Sequence, residues 1–342
     1  HEKQRENRGG NSTAMKAARS ANGKVEIADI PMPEMNETSV LAKTEYSALS
    51  TGTELMLLRK RIDAYLGYSG TGIVTDVGPG VTNIRVGQRV ACYGVPTHAE
   101  YFLANKHHVT IVPDHVDPQE AAFAGIGSIA VQALRQADLR FGETVVVLGL
   151  GILGQLAGQI ARAAAYRVIA ADLMEDRCLM AVESGINVVC RTIEEVSETV
   201  RQLTGGYGAD CVLICASSKS ERLIDKALEW IRDRGKVVIV GDTNTEFERD
   251  ALFAKEASIT VSRAGGPGRY DPSYEKEGRD YPYGYVRWTL HRNLCEFIRL
   301  LSEGLVRVKP LITGIYELND IDKAYQSSIH SPQTNMGTLI QF

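Results

Sequence analysis

The run Val145-Val146-Val147-Leu148-Gly149-Leu150-Gly151-Ile152-Leu153-Gly154 decides the fold of this chain. A β-branched apolar stretch leads directly into G-x-G-x-x-G, and a helical pattern continues over 155–164. In such a turn the first glycine permits the sharp strand-to-helix reversal. The second lets backbone approach a pyrophosphate, and the third lets helix pack against strand. The helix N-terminus then presents free N–H groups and partial positive charge to phosphate. A second apolar run, 167–171, ends at Asp172, 21 positions beyond Gly151. That is close to the ~20-residue spacing at which a carboxylate meets the adenosine ribose. Gly149, Gly151, Ile152, Leu153, Gly154 and Asp172 therefore form a candidate dinucleotide site.

The acid at the strand end also bears on which dinucleotide is held. A carboxylate there accepts hydrogen bonds from both ribose hydroxyls and repels a 2′-phosphate. Arg177 introduces an opposing charge and a surface for adenine, but Glu175 and Asp176 keep the loop negative. The expectation is NAD in preference to NADP.

The 342 residues suffice for two domains, and 44% hydrophobic with 23% charged content supplies a core. A formal net charge of −4 gives no polyanion-binding surface, so nucleic acid is not an expected partner. No apolar stretch approaches the ~20 residues of a membrane span. Six scattered cysteines without C-x-x-C read as reduced thiols, and the expected setting is cytoplasmic. Residues 1–14 are polar and lack the apolar core of a signal peptide; they read as a tag remnant or disordered tail ahead of Met15.

From Lys16 to about Ala122 short β runs (25–30, 40–46, 71–77, 88–92, 109–112) alternate with Gly and Pro, the pattern of an irregular β-barrel. From about Phe123 to Gly265 strands at 144–148, 168–172, 187–190, 210–215, 236–240 and 258–262 alternate with helices at 151–164, 175–183, 194–203 and 220–231. That alternation predicts an α/β doubly wound parallel sheet. Loops following its fourth and fifth strands place Ala216, Ser217, Gly241 and Asp242 at the carboxyl ends, where such sheets bind ligands. A long Gly-, Pro- and Tyr-rich stretch, 265–288, precedes a helix capped by Thr289 and running over 290–302. The last segment reads like the first, so 15–122 and 290–342 are expected to form one domain and 123–289 the other.

The segments Gly67-Tyr68-Ser69-Gly70-Thr71-Gly72-Ile73-Val74, Val86-Gly87-Gln88-Arg89-Val90 and Ala99-Glu100-Tyr101, with the glycine fingerprint, resemble the medium-chain dehydrogenase/reductase superfamily from Met15 to Phe342. That resemblance implies a GroES-like β-barrel domain joined to a Rossmann domain. Ser50-Thr51-Gly52-Thr53-Glu54, Gly268-Arg269-Tyr270-Asp271-Pro272 and Gly284-Tyr285-Val286-Arg287-Trp288-Thr289 are more specifically similar to the dehydrogenase half of bi-domain oxidoreductases, where a glucose–fructose-oxidoreductase-like domain is fused to it. The implied substrates are sugars, cyclitols or polysaccharide precursors.

Departures from the zinc-dependent branch carry the mechanistic expectation. Where that branch has Cys, His and Cys ligands, this chain has Thr51, Tyr68 and Ile126, and it lacks the four-cysteine lobe. Zinc needs three or four thiolate, imidazole or carboxylate ligands, so neither a catalytic nor a structural zinc is expected. Proton handling then falls to side chains. The resemblance puts Tyr68 where a metal-binding His would point, Thr51 and Thr53 beside the nicotinamide, and His98 at the cleft border. Glu54 is expected to brace the fold through a basic partner. Arg269, Tyr270, Arg287 and Trp288, on the long loop, suit a polyhydroxylated substrate or else fasten the loop.

These readings converge on a zinc-independent, NAD-dependent oxidoreductase interconverting a secondary alcohol and ketone on a sugar-like or cyclitol-like small molecule. A quinone or enone reductase using NAD(P)H, and an NAD-binding subunit that needs a separate partner protein, are the alternatives. The apolar edge strand 258–262 is expected to pair with its copy in a homodimer.

Overall fold

A computed structural model describes residues 14–342; the stretch 1–13 lies outside the described residues. Six parallel strands form the central sheet in the spatial order Val189–Cys190, Arg167–Ala171, Thr144–Leu148, Ala209–Ile214, Ile231–Ile239, Ser258–Val261. Thr144–Leu148 sits third of the six and is buried throughout, which explains its unbroken Val/Leu text. Helices Ile152–Ala163, Glu175–Glu183, Ile193–Leu203 and Leu223–Trp230 supply crossovers. Successive strands are added first on one side of Thr144–Leu148 and then on the other, leaving a crevice at its carboxyl end.

The fingerprint turn is stereochemically committed to glycine. Gly149 has φ = +95°, where a side chain is strained. A Cβ on Gly154 would lie 1.8 Å from the Gly149 carbonyl oxygen, so the helix packs against the turn only because that atom is missing.

A second sheet of seven strands surrounds the other half of the core. Its path runs Ile312–Glu317, Gly337–Gln341, Ser39–Ala48, Ser69–Val77, Arg89–Tyr93, Val109–Ile111, with Tyr101–Asn105 paired to Ser39–Ala48. The C-terminal strand thus returns to the N-terminal sheet: Leu339 to Gln341 pair antiparallel with Ala48 to Tyr46. A small sheet of Lys24–Pro31, Ala14–Ala21 and Ala64–Tyr65 completes the β half. The architecture is α/β, a GroES-like β domain with a Rossmann-type parallel sheet.

Several elements differ from the sequence reading, three of them in long segments. Ala14–Ala21 is a strand whose first residue falls within the stretch that reads as a tail. Thr51–Arg59 and Ala124–Ala137 are helices that the sequence reading does not assign. The latter is buried nearly all round, so it has no polar face to give a 3.6-residue signal. Among the described residues no helix is long and apolar enough to cross a membrane.

Candidate active site

A cleft of about 1070 Å³ runs from the fingerprint to the β domain. Gly149, Gly151, Ile152 and Leu153 form its floor, with Asp172, Arg177, Ala216, Ser217, Gly241 and Asp242 along the same wall. Gly151 caps the helix Ile152–Ala163 without a side chain to satisfy its first N–H groups, and a Cβ there would meet nothing within 4 Å. An uncapped helix N-terminus opening onto free space is an anion cradle, and it fits a pyrophosphate. Gly154 packs behind the turn and does not line the cleft.

Asp172 is engaged within the turn as well as facing the cleft. Its Oδ2 accepts from the Leu150 N–H at 2.7 Å and its Oδ1 from the Met174 N–H at 2.9 Å. Arg177 approaches the same carboxylate at 3.5 Å and donates from Nη2 to the Pro332 carbonyl at 3.1 Å. The acid therefore holds the fingerprint loop in shape while bordering the cleft. Lys219 neutralises Asp242 across the loops.

At the far end, Tyr68 donates to Ser50 Oγ at 2.7 Å, with Thr51 and Thr53 alongside on the first turn of helix Thr51–Arg59. Burial pushes the Tyr68 phenol up to about 12, against the opposing effect of its hydrogen bond to Ser50. Tyr68 is thus a neutral donor near pH 7, not the readily ionised phenol that a nearby cation would create. Tyr93 meets it edge to face, ring centroids 5.7 Å apart. Ser50 and Tyr93 received no role from the sequence, although Ser50 opens the quoted Ser-Thr-Gly-Thr-Glu motif.

Beneath Ser50 lies a sealed polar brace. Glu54 Oε1 accepts the Ser50 N–H at 2.8 Å, and Glu54 Oε2 meets His98 Nε2 at 3.0 Å and the Tyr325 hydroxyl. Burial raises the Glu54 pKa, but His98, Tyr325 and the Ser50 amide outweigh it and hold the carboxylate below its ordinary range. His98 is fully buried, with Nδ1 against Ser47 Oγ at 2.7 Å, and it does not reach the cleft. Its expected place at the cleft border is corrected: its imidazole faces inward to the Glu54 carboxylate.

The long loop divides. Arg269 and Tyr270 line the cleft. Arg287 and Trp288 do not; Arg287 stacks on Trp288 at 3.7 Å, whose other neighbour is Arg135 at 3.2 Å. That arginine–tryptophan stack fastens the loop to helix Ala124–Ala137, so these two are removed from the substrate set. Cys215 also borders the cleft, but burial pushes its thiol up to about 12, leaving no nucleophile.

Residues 36–147 match the model of the alcohol dehydrogenase GroES-like domain, and 153–276 that of the zinc-binding dehydrogenase domain. The chain belongs to the medium-chain dehydrogenase/reductase superfamily. Members of this superfamily are NAD(P)-dependent dehydrogenases. The sorbitol dehydrogenase of Halalkalibacterium halodurans is 27% identical over 77% of this chain and 79% of its own. The D-arabitol-phosphate dehydrogenase of Enterococcus avium is 24% identical, covering 87% and 88% respectively. In fold, the superfamily chain superposes on an alcohol dehydrogenase from Escherichia coli CFT073 complexed with NADH, with TM-score 0.80, 18% identity and 97% and 100% coverage.

Proposed function

We propose that this chain is an NAD-dependent oxidoreductase that interconverts a secondary alcohol and its ketone on a sugar-like or cyclitol-like substrate, without zinc. The observation that carries the reading is one cleft with the glycine cradle at one end and the Tyr68–Ser50 hydroxyl pair at the other. A nicotinamide bound in the cradle supplies the hydride acceptor or donor. Tyr68 then turns its single O–H from Ser50 Oγ to the substrate oxygen, accepting from the Ser50 hydroxyl in exchange, and the contact strengthens as negative charge develops there. Ser50, Thr51 and Thr53 provide hydroxyls along which the departing proton reaches the cleft mouth.

Asp172 supports NAD over NADP, because a 2′-phosphate would be placed against its carboxylate. Side-chain chemistry supports the metal-free reading. Thr51, Tyr68 and Ile126 all border the cleft, and none offers the thiolate, imidazole or carboxylate that zinc requires. The same proposal assigns 15–122 with 290–342 to the catalytic domain, 123–289 to cofactor binding, and a homodimer joined through strand Ser258–Val261. Free cysteines accord with a cytoplasmic setting.

The test is turnover of a panel of polyols, cyclitols and their ketones with NAD and NADP in turn, followed at the nicotinamide absorbance. NAD-linked oxidation of at least one polyol is expected. Quinone reduction with no polyol oxidation overturns the reading.

A further inference from the structure

We propose that Arg59 and Lys60 form a phosphate-recognition point for the substrate, so that the cleft favours a polyol phosphate ester, or its ketone, over the corresponding uncharged polyol. The inference rests on the polyol reading of the cleft and narrows the substrate class within it. Relatives fall on both sides of that division, with a sorbitol dehydrogenase and a D-arabitol-phosphate dehydrogenase among them.

The helix Thr51–Arg59 presents two unlike faces. Leu55 is buried and, with the partly buried Leu57 and Leu58, packs into an apolar cluster that includes Leu49, Leu66 and Tyr325. Gly52, Met56, Arg59 and Lys60 line the cleft, at the four-, three- and one-residue steps that mark one helical face. At the helical rise, Arg59 stands about 9 Å along the axis from Thr53, which lies alongside the Tyr68–Ser50 pair. A five- or six-carbon polyol spans such a length when its phosphate sits at the end remote from the reacting carbon. Glu54, clamped among Ser50, His98 and Tyr325, holds the helix that carries both points.

These two are the cations of the cleft that no acid neutralises. The other cations of its lining each have a partner: Arg177 pairs with Asp172, Arg191 with Glu175 and Arg269 with Glu275. Among the described residues, Arg59 and Lys60 have no ion pair and no side-chain hydrogen bond. Asp63, the acid nearest to them in sequence on the C-terminal side, accepts the Asn22 N–H at 3.0 Å and does not line the cleft. Of the acids in the lining, Asp172 and Asp242 are paired. Glu221 is not, but it belongs to the loop 216–221 on the cofactor wall. The end of helix Thr51–Arg59 is therefore a point of net positive charge facing the cleft.

An arginine fork beside a lysine suits a phosphate, the first by paired N–H groups and the second as a point charge. Both side chains are exposed, so a phosphate keeps part of its hydration while it is held there. The cofactor's pyrophosphate has a separate cradle at the start of helix Ile152–Ala163, built from backbone N–H groups. Basic residues in a last helical turn also offset the carbonyl end of a helix. That role is felt in stability and makes no demand on substrate charge. Arg61 supplies the control, being exposed at the same helix end without lining the cleft.

Matched pairs decide the matter: D-sorbitol against D-sorbitol 6-phosphate, and D-arabitol against D-arabitol 1-phosphate. For each, kcat/KM with NAD is measured, together with binding to the NADH-loaded protein, which cannot oxidise an alcohol. The wild-type protein is expected to favour the phosphate ester by both readouts, and the preference should shrink as ionic strength rises from about 0.05 to 0.5 M. R59Q/K60Q should lower the ratio roughly tenfold, chiefly through KM for the ester, the scale of two charge-assisted contacts open to solvent. R61Q should leave the ratio as in the wild type. Preference for the uncharged member in the wild type, or a ratio that R59Q/K60Q leaves unmoved, overturns the proposal while leaving the dehydrogenase reading intact. Weaker NAD binding in R59Q/K60Q with an unmoved ratio assigns the cations to the cofactor and also overturns it. Binding with the stated preference but no turnover defeats the dehydrogenase reading and leaves the proposal standing; binding of neither member defeats both. The wild-type ratio needs no variant to fold.

Discussion

Tyr68 donates to Ser50 Oγ at 2.7 Å, and the amide of the same serine donates to the buried carboxylate of Glu54 at 2.8 Å. The candidate proton donor is therefore aimed by a residue whose backbone is clamped from below. Tyr68→Phe removes the O–H but keeps the ring packed on Tyr93. We expect kcat/KM for the alcohol to fall by about 10²-fold, the usual effect of losing one preorganised donor, with NAD affinity unchanged. Steady-state kinetics and a separate NAD titration check this. Equal loss of NAD affinity would indicate that the tyrosine shapes the cleft without acting on substrate.

Asp172 borders the cleft and its oxygens also hold the Leu150 and Met174 amides, so the proposed NAD preference and loop stability should change together. Asp172→Ser should relax the NAD preference by at least tenfold in kcat/KM, since a 2′-phosphate no longer meets a carboxylate. It should also reduce stability by about 1–3 kcal/mol through the orphaned turn amides. Kinetics with both cofactors and denaturant unfolding measure the two effects. An unchanged cofactor ratio would remove Asp172 from the ribose site.

The buried Glu54 brace predicts an acid-side stability loss. Burial alone raises its pKa, yet His98, Tyr325 and the Ser50 amide hold it below the ordinary value. A carboxylate depressed in the folded state contributes stability above its unfolded pKa of about 4.3. That contribution is lost as pH falls through the lower folded value. Glu54→Gln should cost about 3–5 kcal/mol at pH 7, the range for breaking one half of a buried pair. The gap from wild type should narrow below about pH 4. Unfolding of both proteins between pH 3 and 7 tests this; a gap independent of pH contradicts it.

How much of this was legible beforehand depends on how local each signal is. Gly149 and Gly154 announce themselves because their constraint is a positive φ and a 1.8 Å approach within one turn. Asp172 follows from strand length alone. The doubly wound parallel sheet could be anticipated because strands alternating with crossover helices leave few topologies. His98 could not be placed, since a strand-adjacent histidine does not declare which side it faces, and its partner Glu54 comes from a distant helix. For Arg287 and Trp288 the sequence leaves open a substrate role or a loop fastening for a similar reason: their stacking partner Arg135 lies on a helix with no readable periodicity. Ser50 was visible as a letter but acquires meaning only when the chain brings Tyr68 over it.

Strand Ser258–Val261 occupies one edge of the central sheet, and Val261 is 66% exposed. Pairing of two such edges across a two-fold axis predicts a dimer with a continuous sheet. Val261→Asp should convert it to monomer at micromolar concentration, as read by light scattering. A wild-type protein that is monomeric at all concentrations contradicts the pairing.

The central claim is that alcohol chemistry here proceeds on hydroxyl groups instead of a metal ion. Its most direct test uses protein stripped with a strong chelator, verified metal-free by elemental analysis, and assayed with NAD and its best polyol. Turnover should match that of untreated protein, and added zinc should not raise it. Activity that vanishes on chelation and returns with one equivalent of zinc would contradict the account.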